Sequence, residues 1–581
     1  AQRIQENLEF LETPLHDLPV RHRSLKAVFE HSWQLLAPEE REIMAKLAVF
    51  RSGFRYEAAQ LVAGASLKII LALLDKSLLF TNDSSRYQMH ELLRQFALSK
   101  LDETPAKHKL AHDCFSDYYL TLLYQRIDST KGVSLEHLTE ISTEFNNIYE
   151  AWCWAIEHER IELIDQTKFS LLLFIELGGQ QVAAFKLIEN TVAMLRRKLA
   201  DSITFDRAEI RAKISIVLTR FLVSQAAVFL YFNNGKAADT LMLESLTLLK
   251  NLEGEAAYEI AWSSCMLGWA YHFQGKVKEA QEMAQAGLAY FSKHNDFWGK
   301  GNVSLLLGYI AYVAGNYQPA EVYFRQNIAE AQASHIYGIE NYGLRSLTSI
   351  ARVQGDFAKA EKLLEECYTL QKAQNDAVGS TYSLCSLGHI LRYQKKYEVA
   401  LSQYQASLHT AMELGLQLLI ESCHYGLGWT YLELGKYAEA KKHFVENIHF
   451  TDQQGVSSLR GLAASYNGLG NIARLEDNED NAESLCGKAL QIAIQIGATP
   501  LILDILLSQA LLLHKQQQPE RAIEILTFIQ HHPATKHATR EKATQLLAEA
   551  ATKLSAAAFT QAQQRGGTIQ LEDLVSTFLV V

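Results

Sequence analysis

Leu267-Gly268-Trp269-Ala270-Tyr271, followed by Gly275 and Ala280, is the stretch on which the reading of this chain turns. It returns as Leu307-Gly308-Tyr309 with Gly315 and Ala320, then as Leu347 with Gly355 and Ala360. Leu387-Gly388 with Ala400, and Leu427-Gly428-Trp429 with Gly435 and Ala440, carry it on. Leu469-Gly470 with Ala482, and Ala510 with Ala522, complete the series. The anchor alanines lie 40 residues apart, except for one step of 42 between Ala440 and Ala482. Gly235 extends the phase backwards with Thr240 in place of the alanine, and a looser copy lies at Gly179 and Ala184.

A fixed period of this length marks a solenoid, in which each unit buries its apolar face only against its neighbours. Each unit reads as two antiparallel helices. The glycine in the first helix lets a neighbour approach closely, and the glycine between the helices takes the conformation of a tight turn. The alanine sits where the helices cross, and a larger side chain there overpacks at a cost of about 1–3 kcal/mol. Tyr317, Phe357, Tyr397 and Tyr437, just after the turns, fill the seam. The pattern resembles the tetratricopeptide repeat (TPR), which implies a right-handed superhelix whose concave face is lined by the first helix of each unit. In phase, that face takes Trp262, Trp269, Tyr309, Tyr342, Arg345, Arg352 and Tyr382. It continues with His389, Arg392, Tyr425, Trp429, Asn467, Asn471 and Arg474. Asparagine pairs with peptide backbone and arginine with carboxylates, so the groove is expected to hold a protein or peptide. The alternative for several, Trp262 and Trp429 above all, is packing between helices.

Composition agrees with helix throughout. The chain has 581 residues, too many for one core, and only 8 prolines. A net charge of −10 argues against broad nucleic-acid binding, which needs basic surface. Seven scattered cysteines without a C-x-x-C pair read as reduced thiols and a cytoplasmic protein. No stretch reads as a membrane span or a signal peptide. Ala1 falls inside a helical pattern, so upstream sequence is expected.

The N-terminal third has a different texture. Helices are expected over Leu25 to Leu36, Arg41 to Phe50, Phe54 to Val62 and Leu67 to Lys76. Strand-like Leu78-Leu79-Phe80 and Tyr87-Gln88-Met89 follow, joined by the turn composition Thr81-Asn82-Asp83-Ser84-Ser85, before helix returns from His90 to Leu101. Helices followed by a small hairpin describe a winged helix. The expected fold is therefore all-α, a winged-helix domain followed by a right-handed TPR-like α-solenoid. The expected divisions are an upstream or linker segment over 1–24, the winged helix over 25–101 and a helical arm over 102–200. Repeats over 201–555 and a capping segment over 556–581 complete the scheme.

Specific motifs carry a family resemblance. Arg21-His22-Arg23-Ser24-Leu25, Ser32-Trp33-x-Leu35-Leu36 and Leu47-Ala48-Val49-Phe50-x-x-Gly53-Phe54 resemble the winged-helix region of STAND-class signalling NTPases. Leu74-Asp75-Lys76-Ser77-Leu78 and Tyr87-x-Met89-His90-Glu91-Leu92-Leu93-Arg94 do likewise. The likeness is to bacterial regulators in which an NB-ARC-like ATPase precedes TPRs. Asn146-Asn147-Ile148-x-x-Ala151-x-x-Trp154-Ala155 is similar to the helix that opens the sensor region, and Phe559-x-x-Ala562-x-x-x-Gly566 to the closing segment. The resemblance implies that His90 senses nucleotide against the phosphate of bound ADP. The alternative for His90 is a capping or packing role.

This chain has no G-x-x-x-x-G-K-[ST] loop, so no cofactor is expected in it; ADP and ATP are implied for the parent. Gly468-x-Gly470-x-x-Ala473 lacks the preceding strand of a dinucleotide fingerprint, and His90-Glu91-Leu92-Leu93-Arg94 lacks the second histidine of a zinc protease. His112 and Cys114 form no recognisable dyad. Metal ligation and catalysis by this chain are not expected. The resemblance implies a sensor that relays an inducer to a nucleotide switch, with upstream NTPase and effector domains and oligomerisation on activation. A freestanding peptide receptor and a DNA-reading winged helix are the rivals.

Overall fold

The computed structural model describes residues 25–81, 86–127, 135–176, 180–204, 208–231, 235–252, 254–334, 339–373, 376–414, 416–453 and 459–578. Segment 1–24 with Arg21 to Ser24, the hairpin tip 82–85 and Gly179 thus lie outside the described residues. The fold is all-α and TPR-like, apart from one small sheet in the N-terminal region. Two compact units divide at Met194 and Leu195.

In the first unit, helices Leu25–Gln34 and Pro38–Leu47 lead to an extended residue, Phe54, whose backbone N–H and C=O both pair with Tyr87 at 2.9 Å. Helix therefore starts at Tyr56, two residues later than the apolar pattern implies, because the Phe54 backbone is committed to the sheet. Helices Tyr56–Ala63 and Leu67–Asp75 follow, then antiparallel strands Phe80–Thr81 and Tyr87–Gln88 and helix Glu91–Asp102. In chain order, two helices, the Phe54 bridge, two helices, the two strands and a further helix follow one another. Local chemistry sets the ends. Pro38 opens its helix while Glu40 Oε2 accepts from Ala37 N at 2.8 Å, and Gly64 closes another at φ 73°.

Much of the helical arm over 102–200 packs within this unit. On helix Leu135–Glu157, fully buried Asn147 accepts from Arg51 N at 3.0 Å and Ser52 N at 3.2 Å, and donates to Tyr119 Oη at 3.0 Å. Beside it Glu144 pairs with Arg86, which also donates to Gly53 O. The Asn-Asn-Ile motif thus anchors the loop before Phe54.

The second unit is a run of helical hairpins. Ala208–Tyr231 and Gly235–Leu249 are followed by Ala257–Phe273 with Val277–Lys293, Phe297–Ala314 with Tyr317–Ser334, and Ile339–Gln354 with Phe357–Ala373. Ala377–Tyr393 with Tyr397–Leu414, Gln417–Glu433 with Tyr437–Gln453, Leu459–Leu475 with Glu479–Gln495, and Thr499–Lys515 with Pro519–His531 continue the stack. Helices His537–Ala551, Ala556–Thr568 and Leu571–Ser576 end it. Anchors Ala280, Ala320, Ala360, Ala400 and Ala440 are fully buried. A side chain on Gly308 would stand 2.5 Å from Phe324, and one on Gly428 2.6 Å from Phe444, so each aromatic occupies the space its glycine leaves. Where the turn lacks glycine, Lys395, Asp477 and Gln517 take the left-handed conformation at φ 62°, 61° and 60°.

Helix Ala208–Leu230 is long and apolar enough to cross a membrane by composition, with a mean hydropathy of 1.6, contrary to the expectation of no such stretch. Of that stretch 61% is buried within the chain, where it packs on Gly235–Leu249 and Ala257–Phe273. All seven cysteines are unbonded, five of them buried.

The stack also returns on itself. Tyr317 Oη donates to Ala534 O at 3.2 Å, 217 residues away. A side chain on turn glycines Gly275, Gly315 or Gly355 would stand 2.6, 2.3 or 2.5 Å from Gln495, Ala534 or His537, so these turns form a seam with the last repeats.

Candidate functional site

The inner ends of the first helices gather cations and aromatic rings. The Arg345 guanidinium lies between Tyr342 and Tyr382, 4.7 and 4.4 Å from their ring centres. Arg352 and Arg392 share the ring of Tyr393 at 5.2 and 4.4 Å, and Arg460 lies 5.4 Å from that of Tyr312. Such contacts hold an arginine by quadrupole attraction and leave its N–H groups directional. Arg352 and Arg392 stand in the last turns of their helices, where the carbonyl end of the dipole favours a cation. Arg460 lies in a first turn and Lys536 directly before a helix, the ends that disfavour one.

What these cations lack is carboxylate. Among the described residues, Arg345, Arg352, Arg392 and Arg460 form no ion pair, and Arg392 Nε is buried without a hydrogen-bond partner. Asp504 is already committed to Lys536 Nζ and to Thr539 Oγ1, which donates at 2.5 Å.

The local potential follows. Burial by itself raises a phenol, yet Arg460, Arg352 and Lys536 hold Tyr312 below its ordinary range. Arg392, Arg352 and Lys536 overcome burial at Tyr393 in the same way. Burial first, and Arg460 second, push His272 down to about 4. The potential at these two rings is therefore positive.

The other expected groove residues divide. Tyr342 is 43% exposed. His389 is spent internally: Nδ1 lies 2.7 Å from Tyr404 Oη and Nε2 3.1 Å from Ser422 Oγ, with Cys385 Sγ at 3.7 Å. Tyr425 packs beside His389 and Trp429. Asn467 and Asn471 are corrections: only 1% and 6% exposed, they cannot present amides to a groove. Asn471 Nδ2 donates to Ser508 Oγ at 2.8 Å and to Asn467 O at 2.9 Å. Arg474 is half-buried, and its Nε has no partner. Trp262 and Trp429 pack against Phe291 and Phe444 with their indole N–H groups unpaired, as the packing alternative requires. Trp269 and Tyr309 pack on each other. Arg460 and Lys536 were not legible as site residues, because they lie at helix starts, out of phase with Arg352 and Arg392.

In the first unit, His90 is exposed at the N-cap of helix Glu91–Asp102, and its side chain makes no cap hydrogen bond. Arg94 beside it is engaged with Glu91 at 2.9 Å and Ala48 O at 3.0 Å.

Tetratricopeptide repeat models match residues 422–446 and 261–286. Putative HTH-type transcriptional regulators of Mycobacterium bovis and Mycobacterium tuberculosis are 28% identical over 151 residues, 24% of this chain. The match spans only 17% of the length of those relatives. Among solved structures, the chain is similar to a Signal Transduction ATPase with Numerous Domains with a tetratricopeptide repeat sensor from Pyrococcus horikoshii. That match has 16% identity and a TM-score of 0.47, over 83% of this chain and 66% of the other. Similarity extends to Rap protein complexed with competence and sporulation factor, at 12% identity and a TM-score of 0.43 over 62% and 98% of the two chains. NprR in complex with its cognate peptide NprX gives 10% and 0.38 over 62% and 96%.

Proposed function

We propose that the second unit is a receptor for a peptide or protein segment that presents a carboxylate to the inner face of the solenoid. The observation that carries this reading is the set of four arginines stacked on tyrosines, none of which forms an ion pair among the described residues. A carboxylate entering there gains charge-assisted, bidentate hydrogen bonds in a half-dry setting. The aromatic rings supply apolar contact around it.

Random octapeptides carrying a fluorophore test the idea, with acidic residues and a free C-terminus compared against a neutral, amidated pool. Anisotropy should show binding of the acidic pool alone, weakening with salt and lost in Arg352→Glu and Arg392→Glu while helicity stays unchanged. Equal binding of both pools, or normal binding by both variants, would move the site off the inner face.

In the fuller reading, the chain is the regulatory part of a STAND-type signalling ATPase and is not itself an enzyme. The first unit is then the winged helix that relays peptide binding to a nucleotide module of the parent, and His90 holds the phosphate of ADP. Its exposure at a helix N-terminus, unspent on capping, supports that role. The peptide must prefer the open state, since equal affinity for both would shift nothing. His90→Ala in the parent should speed release of a fluorescent ADP; an unchanged rate would remove His90 from the relay. A DNA-reading role gains little from the hairpin domain. Helix Leu67–Asp75 carries one cation, Lys68, and exposes Leu67 and Leu71 at 49% and 50%, a face suited to protein rather than phosphate.

A further inference from the structure

Two histidines and a glutamate meet on the hairpin Gln417–Glu433 and Tyr437–Gln453. His424 comes from the first helix, and His443 and Glu446 from the second, three residues apart and so on one face. His424 Nδ1 lies 3.0 Å from His443 Nδ1, and Glu446 Oε2 lies 3.3 and 3.5 Å from those two nitrogens. We propose that these three side chains bind one divalent transition-metal ion, with Zn²⁺ as the natural occupant.

Distance carries the argument. An ion bound tetrahedrally at about 2.0–2.1 Å from nitrogen and oxygen sets its ligands about 3.3–3.4 Å apart. The three separations here bracket that edge, so a point exists from which all three atoms reach an ion with little movement. A purely hydrogen-bonded account serves less well. A proton between the two Nδ1 atoms satisfies that pair alone, and protons directed from both rings to Glu446 oppose each other across 3.0 Å. A cation satisfies all three lone pairs together.

The surroundings fit as well. The two imidazole side chains are 12% and 16% exposed and Glu446 is 41% exposed, which leaves a path from solvent and a fourth position for water. Tyr431 stacks on His443 with planes 2° apart and centres at 5.5 Å, fixing the ring that must aim its nitrogen. Lys442 lies 3.8 Å from Oε1 of Glu446, not the oxygen facing the histidines, and is itself 70% exposed and free to swing away. Two histidines and a carboxylate suit zinc, with copper as a tighter competitor by the usual order of affinity. Bound there, the ion would clamp the two helices of the repeat that carries Tyr425.

Equilibrium dialysis of the full chain against ZnCl2, with metal counted by mass spectrometry, tests the site. One Zn²⁺ per chain is expected, with a zinc-dependent rise in Tm. Glu446→Gln, an exposed change that leaves the fold alone, should weaken binding because it removes the anionic ligand. His443→Ala should abolish it, circular dichroism confirming the helices. No stoichiometric zinc in the wild type, or full retention in Glu446→Gln and His443→Ala, overturns the proposal. Binding that survives only at another histidine cluster does so equally.

Discussion

Buried arginine is held in two different ways in the two units, although both also carry ordinary ion pairs such as Arg220 with Glu259 in the second. In the first, arginines meet acids: buried Arg86 meets Glu144, Arg94 meets Glu91, and Arg126 meets Glu140 at 2.7 Å. In the second, Arg345, Arg352, Arg392 and Arg460 meet rings. A pair completed inside the fold serves stability or position, whereas a guanidinium braced on tyrosine and left without an acid still has its strongest bonds to make. The arginines named for the first unit are balanced by acids within it, whereas Arg345, Arg352, Arg392 and Arg460 form no ion pair among the described residues.

Substitution should break this contrast most sharply at Arg86. Arg86→Met strands the 4%-exposed Glu144, and the first unit should lose about 3–5 kcal/mol in urea unfolding. Arg392→Met leaves no buried acid behind, so the second unit should change by less than about 1 kcal/mol. A loss at Arg392 as large as that at Arg86 would mean its charge is structural after all.

The seam gives the next largest effect. Gly315→Ala meets both the left-handed φ of 83° and Ala534, and should cost about 2–4 kcal/mol. Gly435 has φ 72° and open space around it, so Gly435→Ala should cost only about 1 kcal/mol. Equal losses in thermal denaturation would deny the seam its contribution.

Acidity sharpens the comparison further. His112 in the first unit and His272 in the second are each held at about 4, chiefly by burial. Unfolded histidine titrates near 6.5, so between pH 6.5 and 4 the unfolded chain binds more protons and stability falls as pH falls. Above about 6.5 these groups contribute no slope. Tm measured against pH should show that decline, and His112→Phe should flatten the share due to the first unit. The smallest effect separates the second causes: Arg460→Gln should raise the NMR-observed pKa of His272, whereas His112 should not move.

The repeats were readable because each position meets the same neighbour type in every unit, so Gly308 with Phe324 and Gly428 with Phe444 leave the same trace every 40 residues. That phase places Arg345, Arg352 and Arg392 on first helices, where they stand on tyrosine rings. Asn467 and Asn471 were misplaced by it, since the partner that buries Asn471 is Ser508, one repeat onward and without a motif of its own. Lys536 reaches the site only because rotation accumulates over several repeats, and accumulated rotation writes nothing local into sequence. The triad of His424, His443 and Glu446 spans both helices of one unit, a spacing that metal motifs confined to one helix do not cover. In the first unit the tie from the helical arm was not legible, because Asn147 acts on residues about 95 positions earlier.

The closed seam of the solenoid governs how it would respond in time. An open array of repeats stretches like a spring, each coil yielding a little. Tyr317 bonded to Ala534 ties one of the earlier repeats to the last ones, and a tied coil behaves as a clasp, latched or sprung. The latch closes only after a long stretch of chain has been made, which places it among the late and slow events of folding. Ala534, Thr535 and Lys536 are buried in that latch, so hydrogen exchange at residues 534–536 should report its opening.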